Sequence, residues 1–239
     1  MEIINRLINV NPFNCPGTAS TPTRICVHYT GDVGASADRL AQFYANVAAG
    51  MFPNKPESWT STQYIVGLKG EVIRIIPDNR VAYAASGKNA GTIHIEVCYA
   101  QPSGKFEEAS ITALEELVRY LMSRYKIPAD NVVRHYDLTG KLCPYYYIDE
   151  DRWAVLHERI TSDRKAGVLY RVQVGAFSSK ENADNYEKKV KEAGFGTLVV
   201  KSGDLYRVQV GAFGIKSNAE AYVKTVKAAG FDAFVVEVK

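Results

Sequence analysis

The 239-residue chain holds four histidines and four cysteines, so chemistry that needs an imidazole or a thiol has few places to sit. His28 closes the apolar run Ile25-Cys26-Val27, which puts it at the carboxyl end of a strand, a frequent location for a site in an α/β sheet. His135 comes after Val132-Val133-Arg134 in the same way. Past Asp137 and Gly140 comes Cys143-Pro144, where glycine and proline mark a loop that can fold the sulfur back toward His135. Two imidazoles and a thiolate form a His2Cys set for one Zn2+, and three protein ligands leave the fourth tetrahedral position open, which is a catalytic arrangement rather than a structural one. Zinc so held lowers the pKa of water to about 7 and polarises a carbonyl. The same residues also read as two strand-end histidines bonded to backbone and an inert loop cysteine, because spacing alone does not join His28 to His135.

A sheet must position these groups, and the pattern over residues 1–162 supplies one. TRICVHYT is strand-like, 36–47 reads as an amphipathic helix, 63–66 and 71–75 read as strands, and TIHIEV is a further strand. A long helix is expected over 108–124 and a last one over 150–160. Strands interspersed with helices predict an α/β domain with a mixed central sheet flanked by helices. Within TIHIEV, Ile93, Ile95 and Val97 share one face while His94, Glu96 and Cys98 share the other. His94 is expected behind the ligands or on a substrate wall, and His157, near Trp153, on the surface or in packing.

The remainder of the chain is a repeat. LYRVQVGAF begins at Leu169 and again at Leu205, an offset of 36 residues, and Ala-Gly-Phe recurs at 193–195 and 229–231. Each copy (169–204 and 205–239) reads as strand, helix, strand, with Gly194 where a helix C′ residue takes positive φ. Two copies predict a small α+β domain over 168–239 with βαββαβ order, ferredoxin- or RNP-like. The charged segment 163–167, DRKAG, is the expected linker. Arg171, Gln173, Arg207 and Gln209 alternate with the core positions and should project from the sheet face opposite the helices.

Composition excludes several classes. The net charge of +3 lies in the region from Val168 onward, with 11 basic against 8 acidic side chains, far short of a nucleic-acid footprint. No stretch approaches the roughly 18 apolar residues of a membrane span, and MEIINRLINVNPF lacks the apolar run of a signal peptide. The chain is therefore expected to be made in the cytoplasm without a signal peptide, with its four cysteines unpaired.

The stretches ICVHYT, TIHIEVCYA and RHYDLTGKLCP, in that order, resemble the type 2 N-acetylmuramoyl-L-alanine amidases, the group that includes phage lysozyme-like amidases and peptidoglycan recognition proteins. The resemblance implies that His28, His135 and Cys143 bind one zinc ion. It implies further that Glu96 orients the attacking water, accepts its proton and passes it to the leaving amine, and that Lys141 stabilises the oxyanion. Non-hydrolytic relatives typically lack the thiolate, so a non-catalytic peptidoglycan-binding protein is the alternative that Cys143 argues against. Two departures stand out: Tyr64 is out of clear register with a family tyrosine, and Ala82-Tyr83-Ala84-Ala85 replaces a Trp-His-Ala motif. Tyr145-Tyr146-Tyr147 is expected either to wall a substrate or to roof the core. The string Tyr-x-Val-Gln-Val-Gly-Ala-Phe, present twice, resembles the sporulation-related repeat domain. That likeness implies a sheet face that binds glycan stripped of stem peptides, through Arg171, Gln173, Arg207 and Gln209. Together the two resemblances imply a peptidoglycan hydrolase, a phage endolysin or bacterial autolysin, that reaches the cell wall after release by holin or lysis.

Overall fold

A computed structural model describes residues 1–162, 168–214 and 216–238. They fall into two compact units, Met1–Thr161 and Ser162–Lys239. The expected linker at 163–167 lies outside the described residues. Among the described residues no helix is long and apolar enough to cross a membrane.

The first unit runs β1 (Ile4–Asn5), β2 (Arg24–Tyr29), α1 (Ala37–Ala48), β3 (Tyr64–Val66), β4 (Val72–Arg74), β5 (Thr92–Val97), α2 (Glu108–Tyr125), β6 (Val132–Arg134), α3 (His135–Thr139) and α4 (Glu150–Thr161). Its six strands lie in the order β1-β4-β3-β5-β2-β6. Strands β3, β5, β2 and β6 are mutually parallel, and β4 turns back antiparallel on β3. The sheet is mixed, as the alternation of strands and helices predicts.

Alternation along the strands separates two environments. Ile25 and Val27 of β2 with Ile93, Ile95 and Val97 of β5 face α2 and α4, where Leu114, Leu117, Leu121, Leu156 and Ile160 complete the larger core. On the other face Ile65, Ile73 and Cys98 pack beneath Ala37, Ala41 and Tyr44 of α1. Helix α1 begins at Ser36, whose hydroxyl accepts the Arg39 backbone N–H at 3.2 Å and so caps one of the helix's open donors. On this second face Cys26 sits opposite His94 and His28 opposite Glu96, so the polar residues of β2 and β5 form one row beside the α1 core.

The second unit runs β7 (Leu169–Phe177), α5 (Lys180–Glu192), β8 (Leu198–Ser202), β9 (Leu205–Phe213), α6 (Lys216–Ala228) and β10 (Phe234–Val238), the βαββαβ order expected of the repeat. Its antiparallel sheet has the order β10-β7-β9-β8, so no strand pairs with the other strand of its own copy. Tyr170, Val172, Val174, Val208 and Val210 meet Ala183, Val190, Ala219 and Val226 of the helices. The glycine of each Gly-Ala-Phe is required by packing: a Cβ on Gly175 would stand 2.7 Å from the ring of Phe177, and one on Gly211 would stand 2.8 Å from that of Phe213.

One ion cluster built on a buried guanidinium fastens β6 to the start of α4. The Arg134 guanidinium, 4% exposed, donates to Asp137 at 2.6 Å, to Glu150 at 2.9 Å and to the carbonyl oxygens of Tyr147 and Ile148 at 3.0 and 3.2 Å. It thereby ties both ends of the segment that carries His135 and Cys143. Arg134→Ala should cost about 2–4 kcal/mol, because it leaves the Tyr147 and Ile148 carbonyls without their donor and removes a buried side chain that packs on Trp153. Arg134→Lys should recover little, since one ammonium cannot span the fork. Urea unfolding of the three proteins checks this, and near-equal midpoints would count against it.

Candidate functional site

The carboxyl ends of β2, β5 and β6 converge. Val27 pairs with Arg134, so the next residues, His28 near the end of β2 and His135 just past β6, stand at the same level. His135 opens α3, which stops after one turn at Gly140, in left-handed conformation with φ 76°. The chain then folds back: the Tyr136 N–H donates to the Cys143 carbonyl at 2.9 Å, which draws the thiol over the start of α3. The ring centroids of His28 and His135 are 4.5 Å apart, and Cys143 Sγ stands 3.7 Å from His28 Nδ1. Donor atoms of His28, His135 and Cys143 lie within 4.8 Å of one another, close enough to share an ion, and all three residues are buried.

Burial sets the electrostatics of these groups. It lowers the His28 pKa well below the ordinary imidazole value, helped by His94 and His135, and it lowers His135 to about 4, helped by Lys141. All of these rings are neutral at pH 7, the form that ligates metal. Burial, with Glu96 adding to it, pushes the Cys143 thiol up to about 12, so a thiolate there needs a cation beside it. Glu96, half-buried, has one carboxyl oxygen enclosed without a hydrogen-bond partner. Burial lifts its pKa to about 8, and Lys141 opposes the rise.

These groups line a cavity of about 260 Å3. His28, His135, Cys143 and Glu96 meet there, Phe43 and Tyr44 of α1 form an apolar wall, and the exposed Lys141 shares the lining. The five residues singled out in the first unit are thus brought to one place.

Other residues sit elsewhere. Tyr64 points into the opposite core, where its hydroxyl donates to Asp78 at 2.6 Å, so it is no part of this cavity. Ala84, in the segment that departs from Trp-His-Ala, lines the cavity itself. Asp137 accepts the Arg134 backbone N–H at 2.7 Å and serves the turn rather than His135. His157 donates from Nε2 to the Ala129 carbonyl at 3.0 Å and packs on Trp153. Of the three tyrosines, Tyr147 is buried against Phe106, Tyr146 lies under the Arg152 guanidinium, and Tyr145 is exposed. The sequence reading missed that His94 bonds directly to His28, Nδ1 to Nε2, at 3.0 Å. Its shared face with Glu96 was the available signal, and the identity of the neighbouring strand was the missing fact.

In the second unit, Gln173 and Gln209 pair across β7 and β9, where the register shifts at a bulge. They are only 4% and 6% exposed, more enclosed than an open sheet face suggests. Arg171 donates to the Gln209 side-chain oxygen at 3.0 Å, and Arg207 pairs with Ala176. Exposed Phe234 and Leu198 flank the two glutamines in register.

Comparison with known proteins fits this geometry. Residues 18–165 match the N-acetylmuramoyl-L-alanine amidase family model and residues 166–237 match the SPOR domain. A probable N-acetylmuramoyl-L-alanine amidase of Bacillus licheniformis is 29% identical over 217 residues, covering 84% of this chain and 58% of that protein. The N-acetylmuramoyl-L-alanine amidase CwlH of Bacillus subtilis (strain 168) is 35% identical over 150 residues, covering 59% of this chain and 55% of its own. The chain therefore spans little more than half the length of these relatives. The solved structure of PlyL superposes with a TM-score of 0.57 at 28% identity, covering 68% of this chain and 98% of that one. With a family model matching well over half its length, the chain belongs to the N-acetylmuramoyl-L-alanine amidase family and carries a SPOR domain after the amidase region.

Proposed function

We propose that this chain is a zinc-dependent hydrolase that cuts the amide between N-acetylmuramic acid and L-alanine in peptidoglycan. In this reading residues 1–162 catalyse, residues 168–239 hold the enzyme on the glycan, and 163–167 join them. One distance carries the metal assignment. A nitrogen at about 2.05 Å and a sulfur at about 2.3 Å from a tetrahedral Zn2+ stand about 3.6 Å apart, and His28 Nδ1 and Cys143 Sγ are 3.7 Å apart. The unpartnered, buried Nδ1 of His135 and the neutrality of both imidazoles agree with the same donor set.

When bound, zinc supplies Lewis acidity toward the amide carbonyl and makes water a better nucleophile near pH 7. His28, His135 and Cys143 would hold it. Glu96, beside His28 in register, takes the proton from the attacking water and delivers it to the departing L-alanine nitrogen; its carboxyl, lifted toward neutrality by burial, is suited to both transfers. Lys141 offers its ammonium group to the carbonyl oxygen as negative charge builds there. On the second unit Arg171 and Arg207 supply charge-assisted bonds to lactyl carboxylates, while Gln173 and Gln209, 4% and 6% exposed, back that face, Gln209 Oε1 accepting from the Arg171 guanidinium at 3.0 Å. The protein acts at the cell wall, with peptidoglycan glycan and stem peptide as its partners.

With purified peptidoglycan, new L-alanine amino groups should appear with native protein, vanish on chelation, return on zinc add-back, and be absent with Cys143→Ser. Release that persists after chelation would remove the metal from the reading, and wall binding without any release would leave a wall-binding protein.

Glu96→Gln should lower turnover by about 10^2 to 10^4 and yet raise stability. The folded-state pKa of about 8 lies above the ordinary value of 4.5, so the stabilisation held by protonated Glu96 is complete below about pH 4.5 and is lost as pH rises to about 8. Gln keeps the protonated form's bonding at every pH. In chelated protein, the Tm advantage of Glu96→Gln should therefore be largest at pH 8 and vanish near pH 4.5; a pH-independent difference would contradict the assignment.

Arg171→Ala combined with Arg207→Ala should weaken binding to stem-peptide-free glycan, read by sedimentation, by about a hundredfold or more, as expected for two contacts of about 1.5–3 kcal/mol each. Unchanged sedimentation would place the glycan contact on another face.

A further inference from the structure

The two ring nitrogens of His28 face different partners. Nδ1 is 3.7 Å from Cys143 Sγ, and Nε2 is 3.0 Å from His94 Nδ1. A neutral imidazole carries one N–H and one lone pair, so the two contacts are coupled: the nitrogen that holds the hydrogen cannot be the one that ligates. His94 itself is fully buried and tightly fastened. Its backbone N–H donates to Gln63 Oε1 at 2.8 Å, and its carbonyl accepts from the Thr62 hydroxyl at 2.7 Å and from the Gln63 N–H at 3.2 Å. Among the described residues the one hydrogen bond of its ring is to His28, and its Nε2 is without a partner. A buried imidazole with a single ring contact serves that contact.

Cys26, His28 and His94 also bring donor atoms within 4.8 Å of one another. Two nitrogens sharing a tetrahedral zinc stand about 3.3 Å apart, whereas 3.0 Å is the ordinary length of a hydrogen bond. The second cluster is therefore a bonded pair of rings beside a thiol rather than another ion site.

We propose that His94 is a positioning residue that fixes the tautomer of His28. Its Nδ1 accepts the hydrogen of His28 Nε2, which leaves the Nδ1 lone pair of His28 facing Cys143 and His135. The inference rests on the zinc reading above. In the reverse arrangement, with the hydrogen on His94 Nδ1, His28 Nε2 becomes the acceptor, its own hydrogen moves to Nδ1, and His28 leaves the ligand set.

The test uses the full chain. Long-range 1H–15N spectra of the histidines in zinc-loaded native protein should show hydrogens on Nε2 of both His28 and His94. Zinc affinity, read by competition with a chromophoric chelator, should fall about 10- to 100-fold in His94→Phe, the usual consequence of losing a bond behind a metal-bound imidazole. His94→Asn, whose Oδ1 can take the place of Nδ1, should recover most of that loss. A hydrogen found on His94 Nδ1, or equal affinity in native protein and His94→Phe, overturns the proposal while leaving the zinc reading intact. Zinc binding that Cys143→Ser does not diminish, or no binding at all, overturns the zinc reading and this proposal with it. Should His94→Phe fail to fold by circular dichroism, the native spectra and the Asn variant still decide.

Discussion

The cavity exists because three parallel strands end together. Registry between β2 and β5 sets His28 beside Glu96, and registry between β2 and β6 brings His28 and His135 out at one level. A slip of one residue in either pairing would turn an imidazole or the carboxylate into the apolar layer under α2, so the hydrophobic pattern that fixes registry also assembles the polar groups. Ile25, Val27, Ile93 and Ile95 are fully buried. The cost of misplacing them protects the alignment of the polar row beside them.

Two further devices finish what registry begins. Arg134, one residue before His135, reaches across to Tyr147, Ile148 and Glu150 and gives the returning loop a fixed end. The backbone bond from Tyr136 to Cys143 then closes the loop over the first turn of α3. With the geometry so imposed, burial alone makes the imidazoles neutral and the thiol hard to ionise. At pH 7 the two imidazoles therefore offer lone pairs, and the thiol keeps its proton unless a cation replaces it.

Much of this was legible in the sequence, for identifiable reasons. Long segments with clear periodicity, such as 108–124, emerged as helix α2, and the duplicated LYRVQVGAF emerged as the two central strands of the second sheet. Alternation in TIHIEV correctly grouped His94 with Glu96. What alternation cannot say is which strand lies next door, so the bond between His94 and His28 was invisible, as was the placement of Tyr64 in the core on the opposite face. The two-residue strand β1 carries no periodicity at all and is recruited by pairing with β4. Gln173 and Gln209, expected on the sheet face opposite the helices, are 4% and 6% exposed, with Phe234 and Leu198 beside them in register, neighbours that the period of a single strand does not reveal.

The strand order of the second unit has a consequence for the duplication itself. Strand β7 lies between β9 and β10, and β8 pairs with β9, so each ladder joins one copy to the other. Topologically this is a two-fold dimer whose subunits share a chain, linked by the turn around Gly203. A single copy would expose the edges of both its strands and could close them only by finding a second copy in solution, at a cost set by protein concentration. The covalent turn replaces that bimolecular search with a fixed, high effective concentration, so the face bearing both arginines and both glutamines is complete even at one molecule per binding site.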